Sequence, residues 1–160
     1  MRDVLNAIKS ALDADATVTA LSGWDPSGCI ICDADDIGAI RMQAQTTCYV
    51  ARVTTTPEYQ GTGKTGSIEV TPAMIWHEVY VVPAVQYPVA DPSNVIVGND
   101  ALEELTEAVW AALKMTNLSG TVKWLELGTV EPMKLEGYDE NIYVRANRIT
   151  VRAMAGCELL

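Results

Sequence analysis

Two long extended-type runs, Ile40 to Thr55 (IRMQAQTTCYVARVTT) and Ile68 to Val85 (IEVTPAMIWHEVYVVPAV), limit what this chain can fold into more than any other feature. Both are rich in β-branched and aromatic residues, and a polar, glycine-bearing stretch separates them, so they predict a long antiparallel hairpin. In the first run Met42, Ala44 and Thr46 share one side and Tyr49, Ala51 and Val53 the other. The apolar phase therefore changes near Thr47, which predicts a bulge there. A two-stranded ribbon of this length needs further strands and a covering layer before it is stable in water.

The flanking sequence supplies both. Residues 3 to 12 place Val4, Ile8, Ala11 and Leu12 on one helical face, with Leu5 widening the stripe. A short turn is expected over Thr17 to Leu21, then a loop ended by Asp25-Pro26 and strand-like sequence from Gly28. After the hairpin, QYPVADPSN (86–94) reads as a connection and Asn99-Asp100 as the start of a helix. Asp100 and Glu103 have capping-box spacing, and Leu102, Leu105, Val109 and Leu113 form the buried stripe. Asn117 to Gly120 stops that helix, and TVKWLELGTVEPMKL and NIYVRANRITVRAMA read as two more strands. In the last, the apolar face moves from Ile142, Val144 and Ala146 to Ile149, Val151 and Ala153, which predicts a bulge near Asn147 and leaves Arg148 and Arg152 projecting together. The expected fold is α+β: a mainly antiparallel sheet with a long β-hairpin and two main helices packed on it. The 160 residues suit one domain, 1–160, with 55–67 as an extended polar hairpin loop.

That loop contains GTGKT, a string suggestive of a phosphate-binding loop. The full pattern needs a glycine five residues before Gly63, where Glu58 stands, and a helix directly after it, where SIEVTPAMIWHEVYVV reads as strand. A polar hairpin tip fits better than a nucleotide site, and no cofactor is expected. Asp33-Ala34-Asp35-Asp36 has the D-x-D spacing that holds a divalent cation in sugar-diphosphate enzymes, but it equally suits a solvated turn, and two good helices are too few for that fold. Cys29-Ile-Ile-Cys32 has a metal or redox spacing without a second pair. Its two isoleucines favour an extended segment of buried thiols, and no disulfide is expected. His77, the single histidine, shares a strand face with Ile75, Val79 and Val81 and reads as structural. No G-x-S-x-G is present, and nothing gathers into a catalytic centre, so a non-enzymatic role is expected.

Lys and Arg number 11 against 21 Asp and Glu, a formal charge of −10, which opposes wrapping around a phosphate backbone. No stretch has a signal-peptide core or the ~18 apolar residues of a membrane span, so the expected setting is cytosolic.

The order of elements resembles the tail terminator proteins of long-tailed bacteriophages. The N-terminal helix RDVLNAIKSALDAD, the hairpin IRMQAQTTCYVARVTTTPEYQGTGKTGSIEVTPAMIWHEVYVV, the helix GNDALEELTEAVWAALK and the closing strands TVKWLELGTVEP and NIYVRANRITVRAMA carry the resemblance across nearly the whole chain. It implies a structural virion protein at the head-proximal end of the tail, assembled in the bacterial cytoplasm. Such a protein forms a homo-oligomeric, hexameric ring that caps the tail tube, ends its polymerisation and gives the neck an attachment surface. The implied partners are the tail tube protein, a neck or connector protein and the tail sheath. Genomic DNA would pass through the lumen without specific binding, and no membrane would be involved. The implied assembly contacts are Tyr59, Gly61, Gly63 and Lys64 at the hairpin tip, with Arg148 and Arg152 on the last strand. The alternatives are another head–tail connector, such as a stopper or head-completion subunit, and a small metal- or nucleotide-dependent enzyme.

Overall fold

The computed structural model describes residues 1–59, 72–89, 93–114 and 116–156. Its architecture is α+β. The elements run α1 (Arg2–Ala14), α2 (Ala16–Thr19), β1 (Ile30–Asp33), β2 (Thr46–Tyr59), β3 (Pro72–Pro88), α3 (Ser93–Leu113), β4 (Trp124–Met133) and β5 (Ile142–Gly156). The five strands form one mixed sheet in the order β1-β2-β3-β5-β4. β1 pairs parallel to β2, and every other pairing is antiparallel.

α1 and α3 lie on one face of this sheet. Val4, Leu5, Ile8 and Leu12 of α1 and Leu102, Leu105, Val109 and Leu113 of α3 pack with Val50, Val79, Val81, Ile149 and Val151 in the main core. The helical periodicity read from the sequence is thus the face that leaves water. Lys9 and Asp13 fasten α1 to the chain entering β1: Lys9 Nζ donates to the Cys29 carbonyl at 2.8 Å, and Asp13 Oδ1 accepts from the Cys29 N–H at 2.9 Å. Gly28 makes this approach possible, because it has φ +79° and a Cβ there would stand 2.4 Å from the Asp13 carboxylate.

The opposite face is covered over only part of its length. Residues 37–42 and 133–138 fold across it, and Met42 and Leu135 join Tyr49, Val82, Ala84 and Ala146 in a second, smaller core. Hydrogen bonds hold this cover. Tyr49 Oη donates to the Ile40 carbonyl at 2.6 Å, the Met42 N–H to Tyr138 Oη at 3.1 Å, and Gln86 Nε2 to the Ala44 carbonyl at 2.7 Å.

This second core accounts for both phase changes in the sequence and removes the bulges predicted at Thr47 and Asn147. From Thr46 to Arg52 β2 pairs with β3 without a shift, and along β5 Val81 faces Ile149 while Ala84 faces Ala146, the same advance on both strands. The strands keep their register. What changes is the face that is buried, since residues near Ala146 and Tyr49 pack under the cover whereas Ile149 and Val50 pack under the helices. The real irregularities lie between Arg52 and Thr54, between Glu58 and Tyr59, and between Leu127 and Val130.

Three boundaries also differ from expectation. Residues 40–45 are cover rather than strand, because β2 begins at Thr46. β3 continues through Gln86–Pro88, paired with Val144, Tyr143 and Ile142. α3 begins at Ser93 rather than near Asn99, so Asp100 lies inside the helix and caps nothing. Asn99 instead accepts a hydrogen bond from Tyr143 Oη at 2.5 Å. The β-branched run Val95-Ile96-Val97 is helical despite its propensity, with Gly98 letting α3 close on Tyr143, whose ring lies 2.9 Å from where a Cβ would be. Among the described residues no helix is long and apolar enough to cross a membrane.

Candidate assembly site

The uncovered half of the second face carries the most organised surface chemistry. Alternate residues of β5 point to it, so Arg148 and Arg152 stand on one side, about 13 Å apart at strand rise, as their spacing required. Each belongs to a cross-strand rung. Glu126 on β4 lies opposite Arg152, and Glu131 opposite Arg148. Arg152 Nη1 approaches Glu126 Oε2 at 3.7 Å, and Arg148 Nη2 donates to Glu131 Oε2. On the β3 side the guanidinium of Arg152 lies 4.3 Å from the Trp76 ring centre, and that of Arg148 lies 4.7 Å from the Tyr80 ring centre.

Carboxylate, guanidinium and aromatic ring therefore repeat as two rungs across β4, β5 and β3. Exposed ion pairs of this kind contribute ~0–1 kcal/mol and exposed cation–π contacts ~0.5–1 kcal/mol. Their effect is on geometry more than on stability: each guanidinium is held between a carboxylate and an aromatic ring. Such a surface suits planar recognition by a partner. The corner beside it is apolar, with Trp124 56% exposed.

The hairpin rises from the end of the sheet nearer Arg152. β2 and β3 stay paired to Tyr59 opposite Pro72, so residues 55–59, expected within the polar loop, belong to the ladder: Thr55 faces His77 and Pro57 faces Ile75. Tyr59 is the last residue of β2. Gly61, Gly63 and Lys64 lie outside the described residues.

The other chemically suggestive residues are dispersed. Cys29 and Cys32 point to opposite sides of the sheet, Cys29 into the main core and Cys32 toward the smaller one, so the pair cannot close on one ion. Cys29 instead meets Cys48. Contact with that thiol, together with burial, pushes the Cys29 thiol far above its ordinary range. Burial and the nearby Asp36 and Asp33 carboxylates push Cys32 up to about 11. Cys29, Cys32 and Cys48 are free thiols.

Asp33 is bound to Arg52, with Nε 2.7 Å from Oδ1, and Asp35 and Asp36 are exposed in the turn that follows. Among the described residues no group of three or more His, Cys, Asp or Glu side chains is placed to hold a metal ion. His77 is buried, with Nδ1 3.0 Å from Thr55 Oγ1, and burial lowers its pKa.

One surface escaped the sequence reading. Val95, Ile96 and Val97, in the first turns of α3, are 36%, 67% and 48% exposed, with Val89 and Ile142 exposed nearby. Treating 86–94 as a connection and Asn99 as the helix start left these residues without a face. The signal was the apolar run NVIV, which continues the helix backward from Asn99 but does not continue its buried stripe. No model of a known protein family matches this chain, and no curated protein matches it.

Proposed function

We propose that this chain is a structural virion protein that caps the tail tube of a long-tailed bacteriophage as a ring, ends tube polymerisation and offers the neck its attachment surface. The observation that carries the reading is the layout: one amphipathic helix, a hairpin whose strands span Thr46–Tyr59 and Pro72–Pro88, a second long helix, and two closing strands on the same sheet. That is the order of elements by which the chain resembles tail terminators. The Arg152 rung lies toward the hairpin end of the sheet and the Arg148 rung near its middle, which suits a contact surface running from the open face to the hairpin.

Six copies of a 17.3 kDa chain make a ring of about 104 kDa, closed by head-to-tail contacts at a fixed subunit number. The charge of −10 suits a conduit whose wall repels phosphate and lets DNA slide. The role is one of shape and edge pairing, without a cofactor or a catalytic step.

Imaging native particles with this chain located tests the reading, and a position other than the head-proximal tail end overturns it. Replacing residues 60–66 with a short Gly/Ser linker tests the hairpin separately. The expected result is a folded protein, with tails of uncontrolled length or tails that fail to join heads. Normal infectious particles would remove the tip from the mechanism.

A further inference from the structure

At the C-terminal end of α3 a cleft of about 680 Å³ opens between the helix and edge strand β4, lined by Trp110, Lys114, Lys123, Trp124, Leu125 and Leu127. Its composition runs against the rest of the chain. The protein carries 21 acidic and 11 basic residues, yet two lysines line this cleft beside Trp110 and no carboxylate does. Glu126, on the other face of β4, accepts from Trp124 Nε1 at 3.2 Å and faces Arg152 across the sheet. Lys114 and Lys123 are exposed, and neither ammonium group has a carboxylate partner among the described residues.

The complementary chemistry is on the same helix. Asp100, Glu103, Glu104 and Glu107 recur at three- and four-residue spacing on the exposed side of α3, with Ile96, 67% exposed, one turn before them. None has a cationic partner among the described residues. These carboxylates lie beyond the first turn, where the helix dipole would favour them, and like charges at this spacing repel. Ile96 and Lys114 are separated by about 27 Å of rigid helix, so the apolar and acidic end cannot fold back onto its own cleft.

We infer that the cleft receives the acidic stripe of α3 from a second copy of this chain, with Lys114 and Lys123 meeting the carboxylates and the Trp110 indole covering Ile96. The contact is heterologous. A bound pair still offers one free stripe and one free cleft, so the arrangement propagates until it closes. This deepens the ring proposed above and rests on it only in needing a second copy.

The experiment is a charge exchange in the full-length chain. One variant carries Lys114→Glu and Lys123→Glu, the other Glu103→Lys and Glu104→Lys. All four positions are exposed, and circular dichroism and thermal unfolding should match the parent chain. At about 10 mM ionic strength, where screening sets in only beyond ~30 Å, the parent chain should associate past the dimer by sedimentation velocity. Each variant alone should associate at least tenfold more weakly. An equimolar mixture should recover the parent behaviour, because every reversed cleft then meets a reversed stripe. At about 1 M salt, with a Debye length of ~3 Å, association of the parent chain and of the mixture should fall together.

Carbodiimide coupling of isotopically mixed parent chain should join Lys114 or Lys123 of one copy to Glu103, Glu104 or Glu107 of another. A parent chain monomeric at low salt, association that stops at a dimer, unchanged association in the variants, or failure of the mixture to recover would each overturn the inference. Recovery in the mixture, with the chain found away from the tail end in particles, would keep this contact and defeat the terminator reading.

Discussion

Leu105→Ala is the most direct test of which helix face holds α3 to the sheet. Leu105 is 0% exposed and lies in the core formed by α1, α3 and the helix-side residues of the strands. The substitution removes three buried carbons, about 2.4 kcal/mol at ~0.8 kcal/mol for each. The cavity left behind adds to this, because the surrounding valines are held by strand register and the site cannot fully collapse, giving ~2–5 kcal/mol in total. Urea unfolding should show a lower midpoint with an unchanged slope, and thermal unfolding a fall of about 3 °C per kcal/mol. Ile96→Ala on the exposed side of the same helix is the matched control, and its stability should stay within ~0.5 kcal/mol of the parent. A loss below half a kilocalorie for Leu105→Ala would mean that the stripe is not sealed against the sheet.

Gly28→Ala should destabilise by about 1–3 kcal/mol, since it forces a side chain into positive φ and against the Asp13 carboxylate; full stability in urea would contradict that contact. Burial lowers the pKa of His77 in the folded chain, so the unfolded chain takes up its proton first as pH falls through the ordinary value of 6.5. Stability should therefore decline below that pH, and His77→Gln should flatten the decline; an unchanged profile in the variant would assign the pH dependence elsewhere. Calorimetry with ATP or GTP and Mg²⁺ should give no saturable heat, as expected from Glu58 at the position where a phosphate loop needs glycine. Micromolar binding lost in Lys64→Ala would refute that reading.

Most of the fold was legible because its strongest patterns are local. The stripe Val4, Ile8 and Leu12 and the stripe Leu102, Leu105, Val109 and Leu113 announce both helices, and all seven residues are buried. Where the sequence misled, a long-range contact had overridden a local signal. Nothing near Thr47 or Asn147 indicates that residues from 37–42 and 133–138 meet across the sheet, so a change of buried face looked like a change of register. Val95-Ile96-Val97 has strand propensity but is helical, where Gly98 lets α3 pack on Tyr87 and Tyr143. Arg148 and Arg152 could be placed on one side by counting, but Trp76, Tyr80, Glu126 and Glu131 could not be assigned to them before the pairing of β3, β5 and β4 was known.

The two faces of the sheet divide stability from contact. One face is sealed by α1 and α3, and the covered half of the other is fixed by Tyr49, Gln86 and Tyr138. The apolar burial that opposes chain entropy is concentrated there. The open half, by contrast, is built from interactions that contribute little to folding yet fix the directions of two guanidinium groups. A surface of this kind can exchange a charge or a ring without weakening the fold, and it continues into a hairpin whose strands remain paired to Tyr59 and Pro72. The ring subunit we propose would need this separation, with its partners meeting the open face and the hairpin while the core stays constant so that the ring closes at one size.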